Sequence, residues 1–277
     1  MNRSNLSWRS YFGSALVLGG IVLVLAMLGA SPTGTRAQEN RGLVGRTPGA
    51  LPATAAERRG PEVIAPESVV FGRSYGEWSA AWWQWAFSIP AASHPLFDNA
   101  DCSVGQSGPV WFLGGKFCAT GPNAPPCTPG AATRSCALPR GIAVFFPITN
   151  VEDSAPEEPN FGCGDSLSPL LAGTIAEMRQ CAASFVNTTG LSATIDGSPV
   201  PHLRERFRVQ SSAFGFTLPE DNLLNAIGEG PFAQGTYFPS VDDGFYVMLA
   251  PLPAGSHVLH IQAGTSQDIT YDLEVSK

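Results

Sequence analysis

Acidic side chains in an aromatic-rich sequence could carry out glycoside hydrolysis. That reaction needs two carboxyl groups a fixed distance apart, one as acid and one as nucleophile or base. Tryptophan rings add flat apolar faces on which a sugar ring could stack. The available acids are Glu77, Glu152, Asp153, Glu157, Asp242 and Asp243. Their separation depends on the fold, so Glu77 and Glu152 are secondary catalytic candidates.

Ser166 is the best candidate nucleophile. It lies in Gly164-Asp165-Ser166-Leu167-Ser168, which matches the signature of the GDSL-type esterases. The base of those enzymes is a histidine three residues after an aspartate, and none of the four histidines here has that spacing. The segment is better explained as the start of a helix. The sequence therefore predicts no complete catalytic set.

Binding is favoured by a second group of residues. Asn150 and Glu152 directly follow a strongly apolar run, and polar groups at strand ends commonly form sites. The candidate binding residues are Trp82, Trp83, Trp85, Asn150, Glu152 and Asp242. No cofactor is predicted. No metal site is predicted either, because the histidines at 94, 202, 257 and 260 are scattered and no two-residue cysteine spacing occurs.

The elements that must position these residues begin with a helix predicted over residues 75–89. Ser74 and Glu77 have capping-box spacing, and Pro90 ends the helical pattern. One face carries Tyr75, Trp78, Trp82, Trp85 and Ile89. Apolar residues at this spacing usually face a core, so we interpret the helix as the buried centre of the domain. The alternative is a sugar-stacking surface.

The N-terminal segment predicts that the domain lies outside the cytoplasm, either after cleavage of a signal peptide or, as the alternative, behind an uncleaved membrane anchor. Residues 1–37 combine Arg3 and Arg9 with an apolar run at 15–28 and a small-residue cleavage site, which predicts a signal peptide. They contain three of the 16 basic residues and no acid, so the remaining chain has a net charge of −10. That charge disfavours nucleic acid and anionic membrane surfaces as partners. We expect an extracytoplasmic protein, secreted or periplasmic, with no membrane association after cleavage.

Six cysteines in an exported chain predict three disulfides. The spacing alone allows several pairings. Our expected set is Cys102–Cys136 enclosing Cys118–Cys127, with Cys163–Cys181 separate.

The rest of the chain predicts one domain over residues 67–277, preceded by a disordered linker over 38–66. A second helix is expected over residues 169–186, with Ser168 as its cap and Pro169 at its first position. Period-two alternation indicates strands in the C-terminal half, around residues 191–195, 203–209, 245–249, 258–261 and 269–275. The fold class is therefore mainly β (α+β), a disulfide-stapled antiparallel β-sandwich or jelly-roll-like domain with two packed helices.

Several motifs resemble those of a group of exported bacterial proteins that have no assigned function. They are Tyr75-Gly76-Glu77-Trp78-Ser79 with Trp82-Trp83-Gln84-Trp85, Gln106-Ser107-Gly108-Pro109-Val110-Trp111-Phe112-Leu113, Phe145-Phe146-Pro147-Ile148 and Pro253-Ala254-Gly255-Ser256-His257. The resemblance spans about residues 70–275 and implies secretion and one domain. It implies no activity.

These patterns together predict an exported, non-catalytic binding or envelope-associated protein. Carbohydrate or a cell-surface polymer is the leading ligand class, and the oligomeric state is left open. The alternative is a secreted hydrolase of glycosidic or ester bonds.

Overall fold

Two β-sheets contain most of the strand residues of the domain. The computed structural model describes residues 61–98, 100–122, 124, 126–128, 130–155 and 174–277, all within the compact unit Pro52–Lys277. The strands are β1 Val63–Ile64, β2 Val110–Phe112, β3 Ala131–Leu138, β4 Ala143–Ser154, β5 Leu191–Ile195, β6 Ser198–Pro199, β7 Arg208–Gln210, β8 Phe214–Leu218, β9 Gly235–Leu249, β10 Gly255–Ala263 and β11 Gln267–Val275. The helices are α1 Tyr75–Ser88, α2 Ile175–Phe185, α3 Leu203–Arg206 and α4 Leu223–Ile227.

The sheets differ in how their strands are ordered. The six-stranded sheet has the order β1-β9-β4-β2, and β7 and β8 also pair with the long strand β9. The five-stranded sheet has the order β3-β11-β10-β5-β6. Most pairs are antiparallel, but β2–β4 and β3–β11 are parallel. The mainly β, α+β sandwich predicted from the sequence is confirmed, with these two parallel pairs as an addition.

Helix α1 packs on the six-stranded sheet and is largely buried, as predicted. Ser74 and Glu77 form the capping box, and the helix ends at Ser88, before the extended residue Ile89 and Pro90. All four tryptophans of the helix are buried. Burial of such large rings is a main source of hydrophobic stabilisation, at about 25 cal/mol per Å² of apolar surface.

The indole N–H groups of α1 connect the helix to distant segments. Trp78 Nε1 donates to the Val70 carbonyl at 2.9 Å, and Trp82 Nε1 donates to the Leu113 carbonyl at 2.7 Å. Tyr75 makes a similar link, since its hydroxyl donates to Ile64 O at 2.6 Å. These bonds satisfy polar groups that burial would otherwise leave without water.

Two sequence-based boundaries are corrected by the structure, and a third lies partly outside the described residues. Helix α2 spans Ile175–Phe185 with Thr174 as N-cap, whereas the predicted start at 169 lies within residues 156–173, outside the described part. Residues 203–206 form α3 instead of a strand, because Leu203 and Phe207 are four apart and fall on one side in either geometry. Strand β1 lies within the predicted linker 38–66, because Val63 and Ile64 pair with β9.

Two predicted disulfides are present. Cys102 is bonded to Cys136 and Cys118 to Cys127. Cys181 is disulfide-bonded as well, while its predicted partner Cys163 lies outside the described residues. The predicted signal peptide, residues 1–37, also lies outside them. Within the described ranges, no helix has the length and apolar character needed to cross a lipid bilayer.

The third bridge gives the first testable prediction. Peptide mapping by mass spectrometry under non-reducing conditions should recover Cys163 joined to Cys181. A cross-link from Cys163 to any other cysteine would contradict the pairing.

A strained turn precedes α1. Val70 and Arg73 exchange backbone hydrogen bonds of 2.8 and 3.1 Å, which closes a two-residue turn with Phe71 and Gly72 at its centre. Both central residues have positive φ, 48° at Phe71 and 79° at Gly72. Such turns favour Asn or Gly at these positions, and a bulky residue is disfavoured there. Phe71 is nevertheless 55% exposed, so burial of its ring does not compensate the strain.

Replacing Phe71 should therefore stabilise the domain. We expect Phe71→Asn to raise the free energy of unfolding by about 1 kcal/mol, because Asn tolerates left-handed backbone geometry. Urea unfolding at low protein concentration measures this change. Phe238→Asn is the matched control, since Phe238 is also exposed but does not have positive φ. A loss of stability in Phe71→Asn would show that the ring makes stabilising contacts within the chain.

Candidate functional site

The pairing of β4 with β9 brings together three of the six predicted binding residues, and helix α1 adds a fourth, Trp83. Asn150 lies opposite Gly244, and Glu152 lies opposite Asp242. Residues directly opposite in an antiparallel pair share a face, with Cβ atoms about 4.5–5.5 Å apart. This face is the one that α1 covers, because Trp83 reaches Asp242 from the helix.

Asp242 is the centre of this buried polar site. Its Oδ1 accepts hydrogen bonds from Trp83 Nε1 and from the Tyr246 hydroxyl, both at 2.7 Å. Asn150 Nδ2 donates to the same Tyr246 hydroxyl at 2.9 Å. The network thus joins α1, β4 and β9 through Asp242 and Tyr246.

The environment of Asp242 favours its neutral form. The residue is 1% exposed, and burial raises the pKa of its carboxyl to about 7, against the lowering effect of the bonds from Trp83 and Tyr246. Its Oδ2 has no hydrogen-bond partner among the described residues, because the nearby Ser79 hydroxyl donates to the Gly76 carbonyl. A proton on Asp242 removes a buried negative charge at this point.

Glu152 is the second carboxyl on this face. It is 5% exposed, and its Oε1 accepts a hydrogen bond from the Ser240 hydroxyl. Glu152 lies directly opposite Asp242, so the two carboxyl-bearing side chains are neighbours on this face. Both side chains are buried, however, so a polymeric substrate does not reach them in this conformation.

More acids are buried on the opposite face of the same strands, where α2 packs. Asp153, Asp243 and Glu177 are all buried there. Asp243 accepts from Arg208 Nε and from Gln210 Nε2, each at 2.8 Å. Arg208 also donates to the Ala183 carbonyl of α2, so this cation links the helix to the sheet. No group of three His, Cys, Asp or Glu side chains in the described ranges is arranged to hold a metal ion.

The remaining predicted site residues have other positions. Trp82 and Trp85 pack against each other and against Trp83 and Phe112 in the core, which favours the core interpretation of the tryptophans over the stacking surface. Glu77 accepts from the Ser74 amide and hydroxyl as a helix cap. Ser166 lies outside the described residues.

Tyr246 and Ser240 are site residues that sequence reasoning missed. Tyr246 lies four residues after Asp242 along one strand, and Ser240 lies two residues before it. Period-two alternation places all three on one face. The alternation in the sequence predicted a strand only from residue 245. Strand β9 begins at Gly235, and only with that start do Ser240, Asp242 and Tyr246 fall on one strand.

A second polar surface lies on the five-stranded sheet. On β3, β10 and β11, alternate side chains point away from the core, and we call this surface the outer face. Its polar members, all exposed or half-buried, are Thr133, Ser135, Ser256, His260, Gln262, Asp268, Thr270, Asp272 and Glu274. The register aligns them in rows, for example Thr133, Thr270 and His260 across the three strands.

Hydrogen bonds within the outer face hold some of these groups in place. Ser256 Oγ donates to Glu274 Oε2 at 2.5 Å, and His260 Nε2 lies 2.7 Å from Asp268 Oδ1. A shallow cavity of about 570 Å³ crosses the three strands, and Ser135, Ser256, Asp272 and Glu274 contribute to its lining.

Comparison of the chain with protein-family models, with curated proteins and with solved structures finds no match.

The raised pKa of Asp242 predicts a pH-dependent stability. Between its ordinary value of 3.8 and about 7, the folded chain keeps a proton that the unfolded chain has lost. The contribution of Asp242 to stability therefore falls as pH rises through this window. Asp242→Asn stays neutral and keeps an acceptor for Trp83 and Tyr246, so it should not show this fall.

The free energy of unfolding of Asp242→Asn should rise relative to that of the wild type between pH 4 and pH 8. We expect this relative rise to be on the order of 2–4 kcal/mol. Urea unfolding of both proteins at each pH measures it. Asp272→Asn, at an exposed position, controls for a general charge effect. A difference between wild type and Asp242→Asn that does not change with pH would refute the prediction.

Proposed function

We propose that the protein is an exported, non-catalytic binding or envelope-associated protein whose ligand is a carbohydrate or cell-surface polymer. The observation that carries this proposal is the outer face, where hydroxyl and carboxyl groups lie in open rows on a rigid sheet. Sites on strands hold their side chains more precisely than sites on loops.

The chemistry of the outer face suits sugar hydroxyls. Carboxylates such as Asp272 accept strong, charge-assisted hydrogen bonds, and serine and threonine hydroxyls both donate and accept. Neighbouring strands are about 4.8 Å apart, and residues on one face repeat about every 6.8 Å along a strand. An extended polymer with many hydroxyl groups can therefore contact several of these groups at once.

The negative charge of the outer face limits the kinds of polymer that it could bind. The outward positions of β3, β10 and β11 carry Asp268, Asp272 and Glu274 but no lysine or arginine. The whole chain also has a net charge of −7. Repulsion disfavours phosphorylated or uronic acid polymers, whereas uncharged or amine-bearing polysaccharides are compatible with the surface.

The alternative, a hydrolase, has one observation in its favour. Glu152 and Asp242 are opposite each other and could supply an acid and a nucleophile. Their burial under α1 and their hydrogen bonds to Ser240, Trp83 and Tyr246 support a structural role instead.

Binding can be measured by affinity electrophoresis in gels that contain a soluble polysaccharide. We expect a neutral β-glucan or a chitosan to retard the protein and a polygalacturonate to have no effect. Asp272→Ala should weaken the retardation by about tenfold, because it removes a charge-assisted hydrogen bond. Glu205→Ala, at an exposed acid on α3 away from the outer face, should have no effect.

Two results would contradict the proposal. The first is equal retardation of Asp272→Ala and the wild type, which would place the binding surface elsewhere. The second is turnover of glycosidic or ester substrates that Glu152→Gln or Ser166→Ala abolishes, which would establish a hydrolase.

A further inference from the structure

His257, near the start of β10, has an acceptor at each of its two ring nitrogens. Nδ1 lies 2.8 Å from Asp196 Oδ2, and Nε2 lies 3.0 Å from the Pro253 carbonyl oxygen. Asp196 belongs to the turn between β5 and β6, and Pro253 belongs to the loop between β9 and β10. The imidazole therefore connects two separate segments to the strand. We call Asp196, Pro253 and His257 the His257 cluster.

Both contacts are hydrogen bonds only when the imidazole carries two protons. A neutral imidazole has one donor nitrogen and one acceptor nitrogen, whereas the imidazolium donates from both. The Asp196 carboxylate and the Pro253 carbonyl can only accept. In the neutral ring, one nitrogen lone pair would therefore face an oxygen lone pair. The geometry thus favours the charged form of His257.

Asp196 is held in position to accept from this ring. Its backbone N–H donates to the Val258 carbonyl and its Oδ1 accepts from the Val258 N–H, both at 2.9 Å. These bonds leave Oδ2 for Nδ1 of His257. Asp196 and Gly197 have positive φ, 50° and 75°, as the central residues of a tight hairpin turn. The turn and the strand therefore fix the carboxylate independently of the histidine.

Two acids face His257. Asp196 contacts it from the β5–β6 turn, and Glu274 lies on β11, opposite the neighbouring residue Ser256. The side chain of His257 is 11% exposed. Burial disfavours the imidazolium, but the hydrogen bonds to Asp196 and Pro253 and the two negative charges outweigh it, so the pKa of His257 is raised above its ordinary value of 6.5. The ring therefore keeps its second proton to a higher pH than an unperturbed histidine does.

We propose that the His257 cluster is a pH-sensitive switch that fixes the β9–β10 loop to the sheet while the imidazole is charged. Loss of a proton leaves one donor, and the charged Asp196 is the stronger acceptor, so Nδ1–H keeps its bond. The lone pair of Nε2 then faces the Pro253 carbonyl, which loosens the loop, residues 250–254. The inference is independent of the ligand proposed for the outer face.

The direction of the pH dependence follows from the raised pKa of His257. The bond to Pro253 is complete below the ordinary pKa of 6.5 and is lost as the pH rises through the raised value. The loop is therefore ordered at lower pH and more mobile at higher pH.

NMR of the purified, ¹⁵N-labelled chain from about pH 5 to about pH 9 tests the switch. Ring ¹⁵N shifts distinguish the imidazolium from the neutral tautomers. More than half of His257 should carry both protons at pH 6.5, and Nε2 should lose its proton at higher pH. Heteronuclear NOE values measure backbone motion at Leu252 and Ala254, on either side of Pro253. These values should fall as the ring loses its proton, whereas that of Gly197 in the turn should not change.

Three variants separate the switch from a general effect of pH. His257→Gln cannot be charged, so backbone motion in the loop should no longer depend on pH. Asp196→Asn should lower the pH at which His257 titrates by about one unit or more, because it removes the charged acceptor. Asp268→Asn is the matched control, since Asp268 lies 2.7 Å from a different histidine of β10, His260. It should leave the titration of His257 unchanged.

A wild-type ring that is already mostly neutral at pH 6.5 would overturn the proposal. So would loop motion that does not follow the titration of the ring, or loop motion that changes with pH equally in the wild type and in His257→Gln. The wild-type spectra give the first two results without any variant.

Discussion

Three of the four buried indole N–H groups of α1 donate to an acceptor outside the helix, and these bonds organise the domain around α1. Trp78, Trp82 and Trp83 each donate to a different segment, namely the turn before the helix, the chain after β2 and strand β9. Hydrophobic burial alone is not directional, whereas these bonds specify where each segment lies. The indole groups of Trp85 and Trp111 have no partner in the described ranges, so three bonds provide the orientation.

The need of an indole N–H group for an acceptor explains why one acid, Asp242, lies in the interior. Trp83 uses a carboxyl oxygen of Asp242 as acceptor, and Tyr246 and Asn150 extend the bond into a network. Burial removes the Asp242 carboxyl from water, which disfavours its charged form and raises its pKa. Asp242 and Asn150, which were predicted as binding residues, therefore belong to the network that holds α1 on the sheet. Exposed hydroxyl and carboxyl groups lie instead on the outer face, whose strands β3, β10 and β11 contain no tryptophan.

Local signals in the sequence were sufficient for α1, whereas the cysteine spacing alone allowed several pairings, two of which are confirmed as expected. The capping box at Ser74 and Glu77 and the stop at Pro90 depend only on neighbouring residues. The pairing of strands that are far apart in the chain could not be predicted from neighbouring residues. Leu203 and Phe207 fit a strand and a helix equally well, and nothing in residues 150–153 indicates that Asp242 lies opposite Glu152. The outer face was missed because it requires the register of three strands.

The position of β11 has a consequence for when the domain can form. This strand ends at Val275, two residues before the end of the chain, yet it lies between β3 and β10. Its partner β3 is more than a hundred residues earlier in the chain. Pairing β3 with β11 closes a loop of more than a hundred residues, which costs more conformational entropy than pairing the neighbouring strands β10 and β11. The parallel pair is therefore expected to form after the β10–β11 hairpin, as a late step in folding.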